Sequence, residues 1–367
     1  MKTDVLRIGI KTVLALMVVM SVLEANADDV IFSPPITDHL NGMANIHGVE
    51  TDESYPAPSL NPEDWEILNN GDPVVHHTQT VGKRRIDPVG FYLTESGLAL
   101  FYNSGWDDYT RWFEVGGSRT QAGSLMAFDD NWLPTDYEDN PVLNEPQSAW
   151  QGENRTMPMA LWYDEQRERF YVLYGDQAES WHENYRGGRA LGIASSEDLV
   201  NFTYHSTEEP LFDVDDIIDI APEVSYETGR VYASGAIYHD GYAYAMIRAE
   251  GKHNLILRSE NPETTEGWEF VAEIPHSPMP IRYKGKWYIP RNIRDPHDSD
   301  MRAIGMVVGE SLEDMTSEPQ YVFSTGFASS GGSRQLFMYE GKWHIAWRQA
   351  DDENYRDMYV AREKEGS

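Results

Sequence analysis

Three residues of the chain have side chains suited to acid–base chemistry. Asp87, in the sequence RIDP, is the candidate base, and Glu223 is the candidate acid. His276 is an alternative acid, because an imidazole donates a proton near neutral pH with less adjustment than a carboxyl group. Each also has a structural interpretation, since Asp-Pro pairs are common in turns and the other two residues follow prolines in predicted loops. Only their arrangement in space distinguishes these interpretations.

Two acidic groups that face each other across a pocket provide what cleavage of a glycosidic bond requires. One carboxylic acid protonates the leaving oxygen, while a second carboxylate activates a water on the opposite side of the sugar ring. The acid has to be adjusted by its surroundings, since an exposed Glu is ionised at neutral pH. The first hypothesis is therefore an inverting glycoside hydrolase.

A second set of candidates is cationic. Arg155 and Arg334 are expected on strands that line a central pocket. A guanidinium group there could bind a carboxylate or sulfate through two parallel hydrogen bonds. Arg248, Arg291 and Arg348 each lie six or seven residues after a turn glycine, which predicts one shared structural position. They either bind an anionic substrate or pair with acidic residues of neighbouring sheets.

Tyr232 and Trp106 complete the predicted substrate site. Tyr232 is expected on a pocket-lining strand, and Trp106 lies in a long aromatic loop where its ring could stack on a sugar face. No cofactor or metal is expected. The chain has no cysteine, and its paired acids lack the alternating spacing of a calcium loop. The adjacent His76 and His77 would point to opposite faces if they lay on a strand.

Composition narrows the class of partner. The chain has 367 residues, 61 acidic against 29 basic, and a formal net charge of -32. Such a surface repels phosphate, so nucleic acid is not an expected partner. Hydrophobic residues make up 40% of the chain and aromatic residues 12%, which predicts a folded globular protein.

The elements that position these residues are short β-strands. A tight turn followed by an aromatic strand occurs five times, as LALFYNS, FYVLYG, YAYAMIR, KWYIPRN and KWHIAWR. An apolar strand precedes each copy and a third strand follows it, and four of the five copies continue to a fourth, outer strand. This repeat predicts an all-β, five-bladed β-propeller, in which a strand near Trp65 completes the C-terminal blade. A seven-bladed propeller is the rival prediction.

The first 27 residues form a predicted signal peptide. Basic residues precede an apolar run at 12–23, and Ala25-Asn26-Ala27 provides a small-x-small cleavage site. The apolar run is shorter than the roughly 20 residues that cross a bilayer, although an uncleaved anchor is the alternative. Residues 28–367 are predicted to be one domain that is secreted or periplasmic and makes no membrane contact after cleavage.

The blade sequences resemble a known group of enzymes. The GKWYI and GKWHIAW hairpins and the SSEDLVNF turn are similar to those of five-bladed β-propeller glycoside hydrolases, a group containing the family 43 arabinofuranosidases and xylosidases, the fructosidases and the agar-oligosaccharide hydrolases. The resemblance implies that Asp87, before Pro88, is the general base and that Glu223 is the acid. His276 looks like the histidine acid of some agar-oligosaccharide hydrolases. Arg155 departs from the pattern, since that blade of the family carries an Asp.

Three functions follow from these observations. The first is a glycoside hydrolase acting on a plant or algal polysaccharide or its oligosaccharides. The second is a polysaccharide lyase, in which His276 and Tyr232 transfer protons while an arginine neutralises a uronate. The third is a non-catalytic carbohydrate-binding propeller. All three predict a carbohydrate partner, and the arginines make an acidic sugar one option.

Overall fold

The structure is a computed structural model, and the part of the chain that it describes is mostly β. The described residues are 55–94, 97–105, 121–144, 150, 156–176, 190–222, 231–249, 253–275, 279–313, 315–329, 331–351 and 355–365. The predicted signal peptide lies outside these ranges. Within them, no helix has the length and apolar character needed to cross a bilayer.

The strands form five antiparallel groups of four. The first group is β2 (Arg85–Thr94), β3 (Gly97–Gly105), β4 (Gln121–Phe128) and β5 (Pro134–Asp136). The second is β6 (Met157–Asp164), β7 (Arg169–Asp176), β8 (Ala190–Ser196) and β9 (Thr203–Tyr204). The third is β10 (Val231–His239), β11 (Tyr242–Ala249), β12 (His253–Ser259) and β13 (Glu269–Ile274). The fourth is β14 (Ile281–Tyr283), β15 (Lys286–Arg294), β16 (Arg302–Gly309) and β17 (Gln320–Ser324). The fifth is β18 (Gly332–Tyr339), β19 (Lys342–Ala350), β20 (Arg356–Glu363) and β1 (Trp65–Ile67).

The N-terminal strand β1 lies beside the C-terminal strand β20. Trp65 is the register partner of Glu363, and Ile67 is the partner of Ala361. The first and fifth groups are also joined by one parallel pair, Arg85 with Arg356, so that they form a single eight-stranded sheet. The strand near Trp65 therefore has the partner that the sequence predicted.

Local turn chemistry explains the hairpins. Asp240-Gly241, Lys284-Gly285 and Glu340-Gly341 each have two consecutive residues with positive φ, between 48° and 85°. Two-residue turns of this kind match the right-handed twist of the flanking strands, and glycine occupies the second position without steric cost. The predicted turn positions at these three hairpins are thus confirmed.

Aromatic and aliphatic side chains pack between neighbouring groups. Phe91 of β2 stacks on Phe337 of β18, with ring centroids 4.0 Å apart. Tyr92 of β2 lies 6.4 Å from Phe170 of β7, which links the first and second groups. Buried residues of the second and third groups share one apolar cluster, those of the third and fourth share another, and the fourth and fifth groups share a third with the first. The core thus lies in the layers between the sheets.

One short helix, α1 (Val214–Ile220), precedes the third group and was not anticipated from the sequence. Asp213 caps it, accepting hydrogen bonds from the backbone N–H groups of Asp215 and Asp216 at 2.8 and 3.0 Å. The Asp216 side chain accepts the Asp213 N–H in return, which completes a capping box. The paired acids Asp215 and Asp216 therefore belong to a helix start, where negative charge is favourable.

Candidate substrate site

A recurring backbone irregularity lies in the wall of one cavity. The first strand of the first, second, third and fifth groups each has a register shift, at Pro88/Gly90, Pro158/Ala160, Ala233/Gly235 and Gly332/Gln335. Bulges redirect side chains relative to the regular alternation of a strand. The residues at these bulges line one cavity of about 500 Å³. Its lining includes Val89, Met159, Ser234, Ser333 and Arg334.

The described lining of this cavity is strongly cationic. It contains five arginines and a single carboxylate, Asp87, which leaves an excess of four positive charges. This sign is opposite to that of the whole chain, whose net charge is -32. A cleft of one charge sign attracts ligands of the other sign. The arginines are Arg85, Arg248, Arg334, Arg348 and Arg356.

Asp87 lies on β2 and is buried among three guanidinium groups. Its Oδ2 is 2.5 Å from Arg85 Nη2 and 3.2 Å from Arg356 Nη1, while its Oδ1 is 2.9 Å from Arg348 Nε. Asn103 donates a hydrogen bond to Oδ2 at 3.2 Å. Partners from three strands besides β2 therefore fix the orientation of the carboxylate. Arg348 thus pairs with an acid of a neighbouring group, which is one of the two roles predicted for it, and its role in binding an anion stays a prediction.

Arg334 on β18 has a different environment. Its Nη1 donates to the Gly331 carbonyl at 3.1 Å, and its Nε donates to the Pro290 carbonyl at 3.4 Å. Within the described ranges, no carboxylate forms a salt bridge with it. Burial, together with the charges of Arg291 and Arg348, lowers the pKa of Arg334 to about 9. Arg334 is still a cation at neutral pH, held among like charges.

Tyr232 and Arg248 line the same cavity from the third group. They are register partners across β10 and β11. Arg248 is exposed, and no acid in the described part of the chain forms an ion pair with it. Arg291, the remaining member of the predicted set, lies on β15, where burial lowers its pKa to about 10.

The structure thus brings five of the predicted site residues to one cavity, namely Asp87, Tyr232, Arg248, Arg334 and Arg348. The other four lie outside the described residues, namely Glu223, His276, Arg155 and Trp106. Their predicted roles stay predictions.

Two further arginines of the cavity were missed by sequence reasoning. Arg85 could have been found, since residues two apart on a strand share a face and Asp87 was already a candidate. Arg356 gave no such indication, because its contact with Asp87 joins distant parts of the chain.

The sequence-based interpretation of His76 and His77 was wrong. They do not lie on a strand: His76 caps the short 3₁₀ helix His77–Gln79, and the two imidazole rings are 4.1 Å apart. Both face Asp357, and the potential ligand atoms of the three residues lie within 4.8 Å of one another. Asp357 Oδ1 is already engaged, because it accepts the His77 N–H at 2.7 Å and lies 2.9 Å from His77 Nδ1. These hydrogen bonds account for the cluster as an anchor of the turn.

Comparison with known proteins adds the fold family. No protein-family model and no curated protein matches the sequence. Solved structures do match. One of them is CoXyl43, a family 43 β-xylosidase/α-arabinofuranosidase from a compost microbial metagenome, whose structure was solved with xylotriose. It aligns with a TM-score of 0.53 and 11% sequence identity, and the alignment covers 79% of this chain and 93% of CoXyl43. The chain has the fold of the family 43 glycoside hydrolases.

Two further structures show the same similarity. A proposed glycoside hydrolase from Parabacteroides distasonis aligns with a TM-score of 0.51 and 12% identity, over 81% of this chain and 96% of that one. A proposed glycosidase from Bacteroides thetaiotaomicron gives a TM-score of 0.51 and 13% identity, over 92% and 97% of the two chains. The fold shared with these glycoside hydrolase structures thus accounts for most of the chain, as the hairpin sequences predicted.

Proposed function

We propose that this protein is a glycoside hydrolase that acts on a plant or algal polysaccharide or its oligosaccharides. The observation that carries the proposal is the convergence of bulged strands from four groups on one cavity, with the buried carboxylate of Asp87 in its wall. The family 43 fold supports it, since one matching structure is a xylosidase/arabinofuranosidase solved with xylotriose. The cavity volume, about 500 Å³, lies within the range of small-molecule sites.

We further propose that the five strand groups are the blades of one propeller. Apolar clusters join successive groups, and β1 pairs with β20 where the ring would close. A propeller of this kind leaves only short, protected sheet edges. It also explains why the same bulge in different groups faces one cavity.

In the proposed mechanism Asp87 is the general base of an inverting reaction. Its Oδ1 has fewer close partners than Oδ2, so Oδ1 is the oxygen assigned to accept a proton from the attacking water. Arg85, Arg348 and Arg356 hold the carboxylate in place. The acid that protonates the leaving oxygen is Glu223 or His276, as the family resemblance implies.

Replacement of Asp87 by Asn tests this role. General base catalysis contributes roughly 10² to 10⁴ in rate, so Asp87→Asn should lower kcat by that factor, measured as reducing ends released from a panel of neutral and uronate-rich glycans. The exposed Asp240 offers the control Asp240→Asn, which should keep full activity. Asp87→Asn leaves three arginines without their counter-charge and could destabilise the protein. Circular dichroism and thermal unfolding therefore check that the variant is folded. Folded Asp87→Asn with wild-type turnover would exclude the assignment.

A lyase is the second candidate, and one observation favours it. Among the described lining residues Asp87 is the sole carboxylate, whereas arginines and Tyr232 supply the charge neutralisation and proton transfer that β-elimination from a uronate needs. Elimination creates an unsaturated product that absorbs ultraviolet light, and hydrolysis does not. Absorbance recorded alongside reducing ends therefore separates the two reactions.

We propose that the protein functions outside the cytoplasm after removal of residues 1–27. The basic residues, apolar run and small-x-small site support this proposal. Mass spectrometry of the exported protein should find Asp28 as the first residue. A mature chain that retains residues 1–27 would contradict cleavage.

A further inference from the structure

The guanidinium groups of the cavity divide into two sets with different partners. Arg85, Arg348 and Arg356 surround Asp87 and share its negative charge. Arg334 and Arg248 line the same cavity without an ion pair to any acid in the described ranges. The first set thus has a counter-charge inside the protein, whereas no described acid provides one for the second set.

Arg334 is a partly buried cation for which no described carboxylate supplies a counter-charge. Placing a cation in a partly buried position costs free energy unless an anion compensates it. Among the described residues, Arg334 donates to the backbone carbonyls of Gly331 and Pro290 at 3.1 and 3.4 Å, and it is repelled by Arg291 and Arg348. The chain carries 61 acidic residues, yet no described one is placed against this side chain. A bound anion would remove the imbalance.

We propose that Arg334 anchors an anion subsite and that the sugar bound in this cavity carries a carboxylate or sulfate group. The inference rests on the proposed function, because it names the substrate class of the same site. A planar guanidinium group binds either anion through two parallel hydrogen bonds, which gives orientation as well as affinity. Arg248, on the third strand group, adds a second positive charge to the wall.

Binding measured without turnover tests the subsite directly. Glucuronate, glucose 6-sulfate and glucose serve as three probes with one ring skeleton, titrated calorimetrically into the full chain. Charge-assisted hydrogen bonds contribute about 1.5–3 kcal/mol, so Arg334→Gln should weaken binding of the anionic probes roughly 10- to 150-fold and leave glucose unchanged. Arg334→Lys should retain part of the affinity. The tighter of the two anionic probes identifies the acidic group.

A matched control is available outside the cavity. Arg258 pairs with Glu269 at 2.5 Å on the surface of the third group, so Arg258→Gln removes one arginine without touching the site. It should bind all three probes as the wild type does. Equal weakening by Arg258→Gln would mean that net charge alone attracts the anion, and the subsite would be excluded.

Other outcomes are equally decisive. If the wild type binds glucuronate and glucose 6-sulfate no better than glucose, or if Arg334→Gln weakens all probes equally, the inference is overturned. If Arg334→Gln does not fold, Arg334→Lys and Arg248→Gln are titrated instead, and unchanged affinity of both for both anions overturns it. If the protein binds anions through Arg334 but cleaves no glycan, the proposed function is refuted and the anion subsite is kept. If it hydrolyses neutral glycans but binds no anion, the subsite is refuted and the proposed function is kept.

Discussion

Glu363 is a buried carboxyl group where the N-terminal and C-terminal segments meet. Only 8% of its surface is exposed, and its Oε1 accepts the Ser59 N–H at 2.5 Å. Burial raises the pKa of Glu363 from its ordinary value of 4.5 to about 7, and the negative charge of Asp64 acts in the same direction. The folded protein therefore holds this proton more tightly than the unfolded chain does.

The sign of the resulting pH dependence follows from linkage. The contribution of Glu363 to stability is fully present below pH 4.5 and is lost as the pH rises through about 7. Between pH 5.5 and 8.5 the loss amounts to about 2 kcal/mol, since each pKa unit corresponds to about 1.4 kcal/mol. Replacement of Glu363 by Gln removes this dependence, because an amide does not ionise.

Urea unfolding at pH 5.5 and pH 8.5 measures the effect. The free energy of unfolding of Glu363→Gln, relative to the wild type, should rise by about 2 kcal/mol from the lower to the higher pH. Glu365 lies two residues further along, and its side chain is 89% exposed, so Glu365→Gln is a control that should follow the wild type at both values. A difference between Glu363→Gln and the wild type that stays constant over this range would refute the reasoning.

Two further predictions concern stability in the core. Burial lowers the pKa of His344 to about 3, so the unfolded chain binds this proton more readily than the folded protein does, and stability is lost as the pH falls below 6.5. Because Gln does not titrate, His344→Gln should remove about 1 kcal/mol of the loss in the free energy of unfolding between pH 6.5 and 5.5, measured by urea unfolding. Gly192→Ala should destabilise by about 1–3 kcal/mol, because a Cβ there would lie 2.4 Å from the Tyr174 ring. Tyr174→Leu should reduce that cost in the double variant, and independent, additive effects of the two substitutions would argue against the contact.

Local features of the fold could be predicted from the sequence. Turns such as Lys284-Gly285 and the aromatic strands that follow them depend on neighbouring residues alone, and they occur where the repeat placed them. Predicting that Asp87 and Arg334 line one cavity required only the strand order and the position of each residue at the start of a first strand. Both residues do line it.

Contacts between distant segments could not be predicted in this way. The pairing of Asp87 with Arg356 depends on how two strand groups meet, which no local pattern encodes. The register shift at Pro88/Gly90 depends on the neighbouring strand and redirects side chains that simple alternation would place elsewhere. The helix α1 is too short to show a helical period, so its Asp213 cap does not stand out among the many acidic residues of the sequence.

The pairing of β1 with β20 has a consequence for synthesis. Strands β2 to β17 can fold group by group as the chain leaves the ribosome, since each hairpin partner follows within a few tens of residues. Trp65 and its neighbours emerge before the other described strands, yet β1 has no partner until Glu363 has been translated. The earliest of the described strands is therefore among the last to gain its pairing partner.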